Sequence, residues 1–189
     1  MIPPPTSLRS LYMLSKAFRL QFQMYPANLH REVLKMNQHL LLEYYRSGPT
    51  DWKKYISPDS IKYNKLWVTD SINNPAFGIA ILTWLPGQET PVHGHPENGC
   101  LLMPLHGMLD ECRVFRSLVP GESKVFNNTI ITRARYVQGQ VSYIDNREGL
   151  HKIKNNGDEL AVSLHVYSPI CEIEPNSNGL VAELKQSTA

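Results

Sequence analysis

Gly87-Gln88-Glu89-Thr90-Pro91-Val92-His93-Gly94-His95-Pro96-Glu97-Asn98-Gly99-Cys100 sets two histidines one residue apart between apolar segments. Read as part of a β-strand, alternate residues share a face, so His93 and His95 aim at one point. Two imidazoles so placed can converge on a metal ion if a third ligand comes from elsewhere in the fold. Glycine and proline on both sides form tight turns that bring neighbouring strands close.

Downstream of this stretch the chain reads as a succession of short strands separated by turns. Cys100 to Leu105 is one, and a second runs from Gly107 through Phe115 to a turn at Val119-Pro120-Gly121. Lys124 to Phe126, Thr129 to Val137, Val141 to Ile144, Gly149 to Asn155 and Leu160 to Tyr167 follow, with Asn155-Asn156-Gly157-Asp158 as a hairpin turn. Immediately upstream, Phe77 to Trp84 is a buried strand, and strand character begins near Tyr63.

Further back the period changes. Leu8, Leu11, Tyr12, Ser15, Phe18 and Phe22 recur at helical spacing behind a cap at Thr6 or Ser7, and Pro26 ends that helix. Asn28 starts a second helix that runs to about Arg46, where Gly48-Pro49 breaks it, and Thr50 or Asp51 caps a short turn through Tyr55. Many short strands with turns at regular intervals mean a sandwich or barrel, with the preceding helices packed outside it. The expected organisation is one domain over residues 1–189: helices over about 5–48, a β-barrel over about 63–170 and a tail over about 175–189.

Composition narrows the function classes. At 189 residues the chain is long enough to bury a core and an internal site. A net charge of +2, without a clustered basic stripe, gives no nucleic-acid footprint. No apolar run reaches the length that spans a bilayer. Three scattered cysteines, Cys100, Cys112 and Cys171, make no disulfide framework and point to a reducing compartment. The first acidic residue is Glu32, behind Arg9, Lys16 and Arg19, a pattern shared by transit peptides and ordinary amphipathic helices. The second reading is taken here, with the cytoplasm as location and a monomer as assembly.

Two glycine–histidine patterns stand together. Gly87, five residues, His93, one residue, His95, four residues, Cys100, six residues and Gly107 form the first; Gly149, His151 and Asn155 form the second. This pair resembles the two cupin motifs, which implies a mainly β, jelly-roll-like cupin β-barrel. Cys100 is the departure, standing where most cupins put a glutamate ligand. Three neutral imidazoles leave a divalent metal its full charge and open positions, which suits an anionic substrate such as a thiolate. Imidazole accommodates iron, nickel, copper and zinc alike.

Ser163, His165 and Tyr167 alternate along one strand and so share a face, while Val162, Leu164 and Val166 turn the other way into a core. Three polar groups on an inward face are costly unless they bond to one another or serve a site. No acid partner or oxyanion turn accompanies them, which argues against a protease-like nucleophile.

Gly149-Leu150-His151-Lys152-Ile153-Lys154-Asn155 and Ala161-Val162-Ser163-Leu164-His165-Val166-Tyr167-Ser168-Pro169 resemble the cysteine dioxygenase family. Tyr44, Tyr45, Trp52, Tyr55 and Tyr63 fall where that family has aromatic residues, and Trp84 sits as in its approach to the metal. The resemblance covers roughly residues 5 to 180. It implies Fe(II) held by His93, His95 and His151, a small thiol bound through sulfur, and dioxygen whose two atoms end on that sulfur as a sulfinic acid. It implies Tyr167 at the iron pocket, oriented by His165 and in turn by Ser163, a thioether between Cys100 and Tyr167, and a cis peptide at Ser168-Pro169.

Substrate recognition departs from the family. An arginine there lies two residues after the tyrosine matched here by Tyr63 and pairs with the substrate carboxylate; this chain has Lys65. Counting back from Trp84 gives Trp67 instead, so Asn73-Asn74-Pro75 is expected to carry a small insertion. Lysine is a point charge without the bidentate fork of arginine. Arg133 and Arg135 are further cations that could serve. L-cysteine is the expected substrate, with 3-mercaptopropionate or cysteamine as the alternative, and a non-catalytic metal-binding or sensor cupin as the rival from another class. His30, His39 and His106 are read as non-ligands, and Cys112 and Cys171 as incidental.

Overall fold

The computed structural model describes residues 8–68, 76–118 and 126–169. Helix α1 (Leu11–Met24) buries Leu11, Phe18 and Phe22 of the expected stripe, but Tyr12 is exposed and Leu14 is buried in its stead. Its cap is Ser10, whose hydroxyl accepts from the Met13 amide at 3.2 Å, rather than Thr6 or Ser7, which lie outside the described residues. Phe18 and Phe22 pack on Phe77 with ring centroids 5.9 and 5.2 Å apart. Burying each such ring contributes about 1.5–3 kcal/mol.

The second helix is two helices, α2 (His30–Met36) and α3 (Gln38–Arg46). Asn37 makes the joint: its side-chain amide donates to the Val33 carbonyl at 2.7 Å, local bonding of the kind that competes with helix continuation. Asp51 opens the 3-10 turn Asp51–Tyr55 but does not cap it. Its carboxylate accepts instead from the Leu11 amide at 2.7 Å and from the Tyr44 hydroxyl at 2.8 Å, holding a negative charge at the start of α1 and tying it to α3.

Two antiparallel sheets follow. The larger has β1 (Asn64–Trp67), β2 (Gly78–Trp84), β3 (Cys100–His106), β6 (Ser142–Ile144) and β8 (Ala161–Tyr167) in the order β1-β2-β8-β3-β6. The smaller orders β4 (Met108–Leu118), β5 (Phe126–Val137) and β7 (Leu150–Lys154) as β5-β4-β7. Ile79, Ile81, Leu101, Met103, Val162, Leu164 and Val166 meet the three helices on one face of the large sheet. Ala80, Leu82, Trp84, Leu102 and Ala161 on its other face meet Leu109 and Ile153 of the small sheet. The architecture is mainly β with the helices outside, as expected; among the described residues its strands form two facing sheets, not one closed ladder. The double covering explains why β2 is buried along its whole length.

Two expectations about strands change. The stretch carrying His93 and His95 is not a regular strand: its backbone pairs with β7 in isolated bridges, Glu89 with Lys154 and His93 with His151, rather than in a ladder. Pro91 and Pro96 lack the N–H a ladder needs, so pairing stops on both sides of the histidines. Nor do β7 and β8 form a hairpin. They belong to different sheets, and the turn between them carries the chain across. Asn155 holds that crossing, donating to the carbonyls of Trp84 at 3.1 Å and Glu159 at 2.8 Å and accepting from the Gly157 amide at 3.0 Å. The expected turn at Val119-Pro120-Gly121, the loop at Asn73-Asn74-Pro75, the start of the strand at Lys124, Cys171 and the tail lie outside the described residues.

Candidate metal centre

His93 and His151 are clamped side by side by their backbones, each amide donating to the other's carbonyl at 2.9 Å. His95 is held by one side chain: Asn146 accepts from its amide at 2.8 Å and donates to its carbonyl at 2.7 Å. Between the histidines, Gly94 makes that grip sterically feasible, since a Cβ there would lie 2.5 Å from Asn146 Oδ1. The result gathers one ring nitrogen from each of His93, His95 and His151 within 4.8 Å of one another.

The donor set fits a cation. Burial lowers the pKa of His93, and burial together with neighbouring positive charge holds His95 and His151 well below the usual imidazole range. All three rings are therefore neutral, with one lone pair each. His93 Nδ1 meets the Pro91 carbonyl at 3.0 Å and His151 Nδ1 meets Glu111 at 2.6 Å, so these nitrogens carry the protons and both Nε2 atoms are left as donors of lone pairs. His95 Nε2 lies 2.6 Å from His151 Nε2, while His95 Nδ1 is buried without a hydrogen-bond partner. A cation shared by the two Nε2 atoms would relieve their close approach, with the His95 hydrogen then on Nδ1.

Glu111 is the residue that motif reading missed. It is 2% exposed, and besides His151 it binds Arg113 Nε at 3.0 Å, Ser142 Oγ at 3.1 Å and the Tyr136 hydroxyl at 3.2 Å. The signal was present, because Leu109, Glu111 and Arg113 alternate along β4 and place two charges on its inward face. A carboxylate behind a ligating histidine fixes its tautomer and raises its basicity. Here Glu111 supplies, one bond further out, negative charge that Cys100 does not supply as a ligand. Glu111→Gln is expected to weaken metal binding roughly 10- to 100-fold, measured by competition with a chromogenic chelator. Unchanged affinity would reduce Glu111 to a packing role.

The histidines open onto a cavity of about 130 Å³ that is also lined by Tyr63, Lys65, Trp84, His165 and Tyr167. A space of this size takes a small molecule. Tyr63 stacks on Trp84 with centroids 4.6 Å apart. Lys65, opposite Leu82 in the β1–β2 register, puts its ammonium 4.3 Å from the Trp67 ring centre and 4.7 Å from that of Tyr167. Such a cation over two ring faces lines the same cavity as the three histidines.

On β8, Ser163, His165 and Tyr167 share the inner face. Ser163 Oγ lies 2.9 Å from His165 Nε2, and the Tyr167 hydroxyl 3.3 Å from His165 Nδ1. Burial keeps His165 neutral and Tyr167 a phenol. Cys100 is the direct cross-strand partner of Tyr167, and burial raises its thiol pKa. Ser168-Pro169 is cis.

Other residues lie elsewhere. Arg135 is exposed and paired with Asp110 at 2.7 Å, and neither it nor Arg133 lines the cavity. The His30 ring meets the carbonyls of Phe22 and Tyr25, His39 that of Met36, and His106 is exposed. Cys112 is partly buried on β4. Among the described residues no helix is long and apolar enough to cross a membrane.

A family profile described as cysteine dioxygenase type I matches residues 19–174. Cysteine dioxygenase type 1 of Danio rerio is 33% identical over 132 residues, which cover 68% of this chain and 62% of that protein. The Homo sapiens protein of the same name is 34% identical over 131 residues, with the same shares. The matched stretch thus spans less than two thirds of the length of these relatives. Among solved structures, a cupin superfamily protein from Desulfitobacterium hafniense is 12% identical, with a TM-score of 0.45 over 64% of this chain and 89% of that one.

Proposed function

This chain belongs to the cysteine dioxygenase type I family, and from that premise we propose that it is an iron-dependent thiol dioxygenase. In this reading L-cysteine and dioxygen give cysteine sulfinic acid. Both oxygen atoms end on sulfur and no other reductant is consumed. The observation that carries it is the gathering of three neutral imidazoles in a small cavity that also holds Lys65 and Tyr167.

Fe(II) held by His93, His95 and His151 would supply open coordination positions and the one-electron chemistry that dioxygen requires. The chain's own residues do the rest. Lys65 pairs with the substrate carboxylate. Tyr63 and Trp84, stacked on one wall, exclude water and narrow the site to a small thiol. Tyr167 presents its hydroxyl to the reacting atoms, oriented by His165 and Ser163. Cys100 and Tyr167, facing each other across β3 and β8, become joined by a thioether, the thiol and the ring each giving up one hydrogen to dioxygen. The protein works in the cytoplasm as a monomer.

Oxygen uptake by the iron-loaded protein tests this against cysteine, 3-mercaptopropionate, homocysteine and cysteamine, with sulfinate identified by mass. Cysteine is expected to be oxidised. Lys65→Ala is expected to raise KM for the carboxylate-bearing thiols about tenfold to a hundredfold, the loss of one charge-assisted bond, and to leave cysteamine untouched. Wild-type preference for cysteamine would remove the carboxylate from the substrate. No uptake with any thiol would overturn the enzyme reading.

A further inference from the structure

The three-residue series on β8 does not begin at Ser163. The Trp84 indole N–H donates to Ser163 Oγ at 2.9 Å, across the β2–β8 interface, and both side chains are completely buried. An indole nitrogen only donates. The direction of this first bond therefore decides the direction of those that follow.

Ser163 has one proton to place, and His165 Nε2 at 2.9 Å is the acceptor beside it. Suppose Nε2 carried a hydrogen. Ser163 Oγ would then receive two N–H donors, and its own proton would be buried without an acceptor, at a cost that buried hydroxyls avoid. With the hydroxyl donating to Nε2, the neutral His165 ring carries its hydrogen on Nδ1. That nitrogen faces two acceptors, the Tyr167 oxygen at 3.3 Å and Cys100 Sγ at 3.9 Å, while the Cys100 thiol turns to the Leu101 carbonyl at 3.3 Å. Tyr167, accepting from His165, keeps its own hydrogen for the cavity.

We infer that Trp84 is a positioning residue that polarises the series Trp84, Ser163, His165, Tyr167 toward the metal centre. It fixes Tyr167 as a hydrogen-bond donor to whatever occupies the cavity and prevents His165 from taking the phenolic proton. The tautomer follows from the hydrogen bonds alone; the consequence for turnover rests on the thiol dioxygenase reading.

The test begins with the wild-type protein, zinc-loaded so that its spectrum is diamagnetic. Nitrogen-15 correlation spectra of the histidine rings, with His165 assigned by its loss in His165→Gln, are expected to show Nδ1 protonated and Nε2 bare. A ring protonated on Nε2 overturns the inference without any variant. Trp84→Phe, which keeps a ring against Tyr63, is expected to release the tautomer and, in the iron-loaded protein, to lower kcat about tenfold with KM unchanged. Ser163→Ala is expected to do the same. Adding Trp84→Phe to Ser163→Ala is expected to change nothing further, because the indole acts through the serine. An equal second loss in that background would show Trp84 acting through its stack on Tyr63 and would overturn the inference. If no thiol is oxidised, the dioxygenase reading falls while the tautomer still decides this one.

Discussion

His151→Ala is expected to abolish stoichiometric metal binding while leaving the fold intact. The effect should be well beyond the roughly 10- to 100-fold that loss of an outer partner costs, because a ligand disappears rather than its orientation. Two observations make His151 the most sensitive of the three histidines. Its ring alone is braced by a carboxylate, Glu111 at 2.6 Å, and its Nε2 lies 2.6 Å from that of His95. The backbone clamp between residues 93 and 151 uses no side-chain atom, so alanine retains it. Glu111 keeps Arg113, Ser142 and Tyr136 as partners and is not left as an unpaired buried charge. Metal content after iron loading and desalting measures the loss, with circular dichroism as the control on folding. Stoichiometric iron in a folded His151→Ala protein would mean that the centre lies elsewhere.

Tyr167→Phe should give the second largest effect: kcat lower by roughly 100-fold, with iron content and KM little changed. A hydroxyl that donates in the transition state is worth about that much when removed. The ring itself is retained, so the contacts of Tyr167 with Trp67 and with the Lys65 ammonium survive and substrate binding is spared. Intact mass adds an independent readout. A thioether makes wild-type protein lighter by two hydrogen atoms, and the phenylalanine variant should show only the full mass. Unchanged kcat would demote Tyr167 to a packing residue.

The sequence was most legible where period alone carries the information. Ser163, His165 and Tyr167 share a face because they are two apart, and Val162, Leu164 and Val166 meet the helices for the same reason. The apolar stripe of α1 was legible in part: Leu11, Phe18 and Phe22 point inward as expected, whereas Leu14 rather than Tyr12 completes the buried face. The convergence of the three histidines could be read from their spacing and from the family resemblance, although the segment holding two of them is no regular strand. What escaped depends on partners far along the chain. Glu111 reaches His151 only because β4 pairs with β7, and nothing within β4 names that neighbour. Asn155-Asn156-Gly157-Asp158 has turn chemistry that serves a hairpin or a crossing between sheets equally well. The break at Asn37 came from one side-chain bond inside an otherwise helical pattern.

The clamp joining His93 to His151 has a consequence for the order in which the molecule is made. Its partners are far apart along the chain, and so are His95 and His151, which lie 56 residues apart. Closing a span of that length costs entropy that no single ion contact repays early in folding. The chain must first dock β7 beside β4 and beside the segment that carries His93. Only then do three imidazoles stand together. A metal held by these three histidines would therefore be taken up by the folded chain, an inspector of the completed architecture rather than its scaffold.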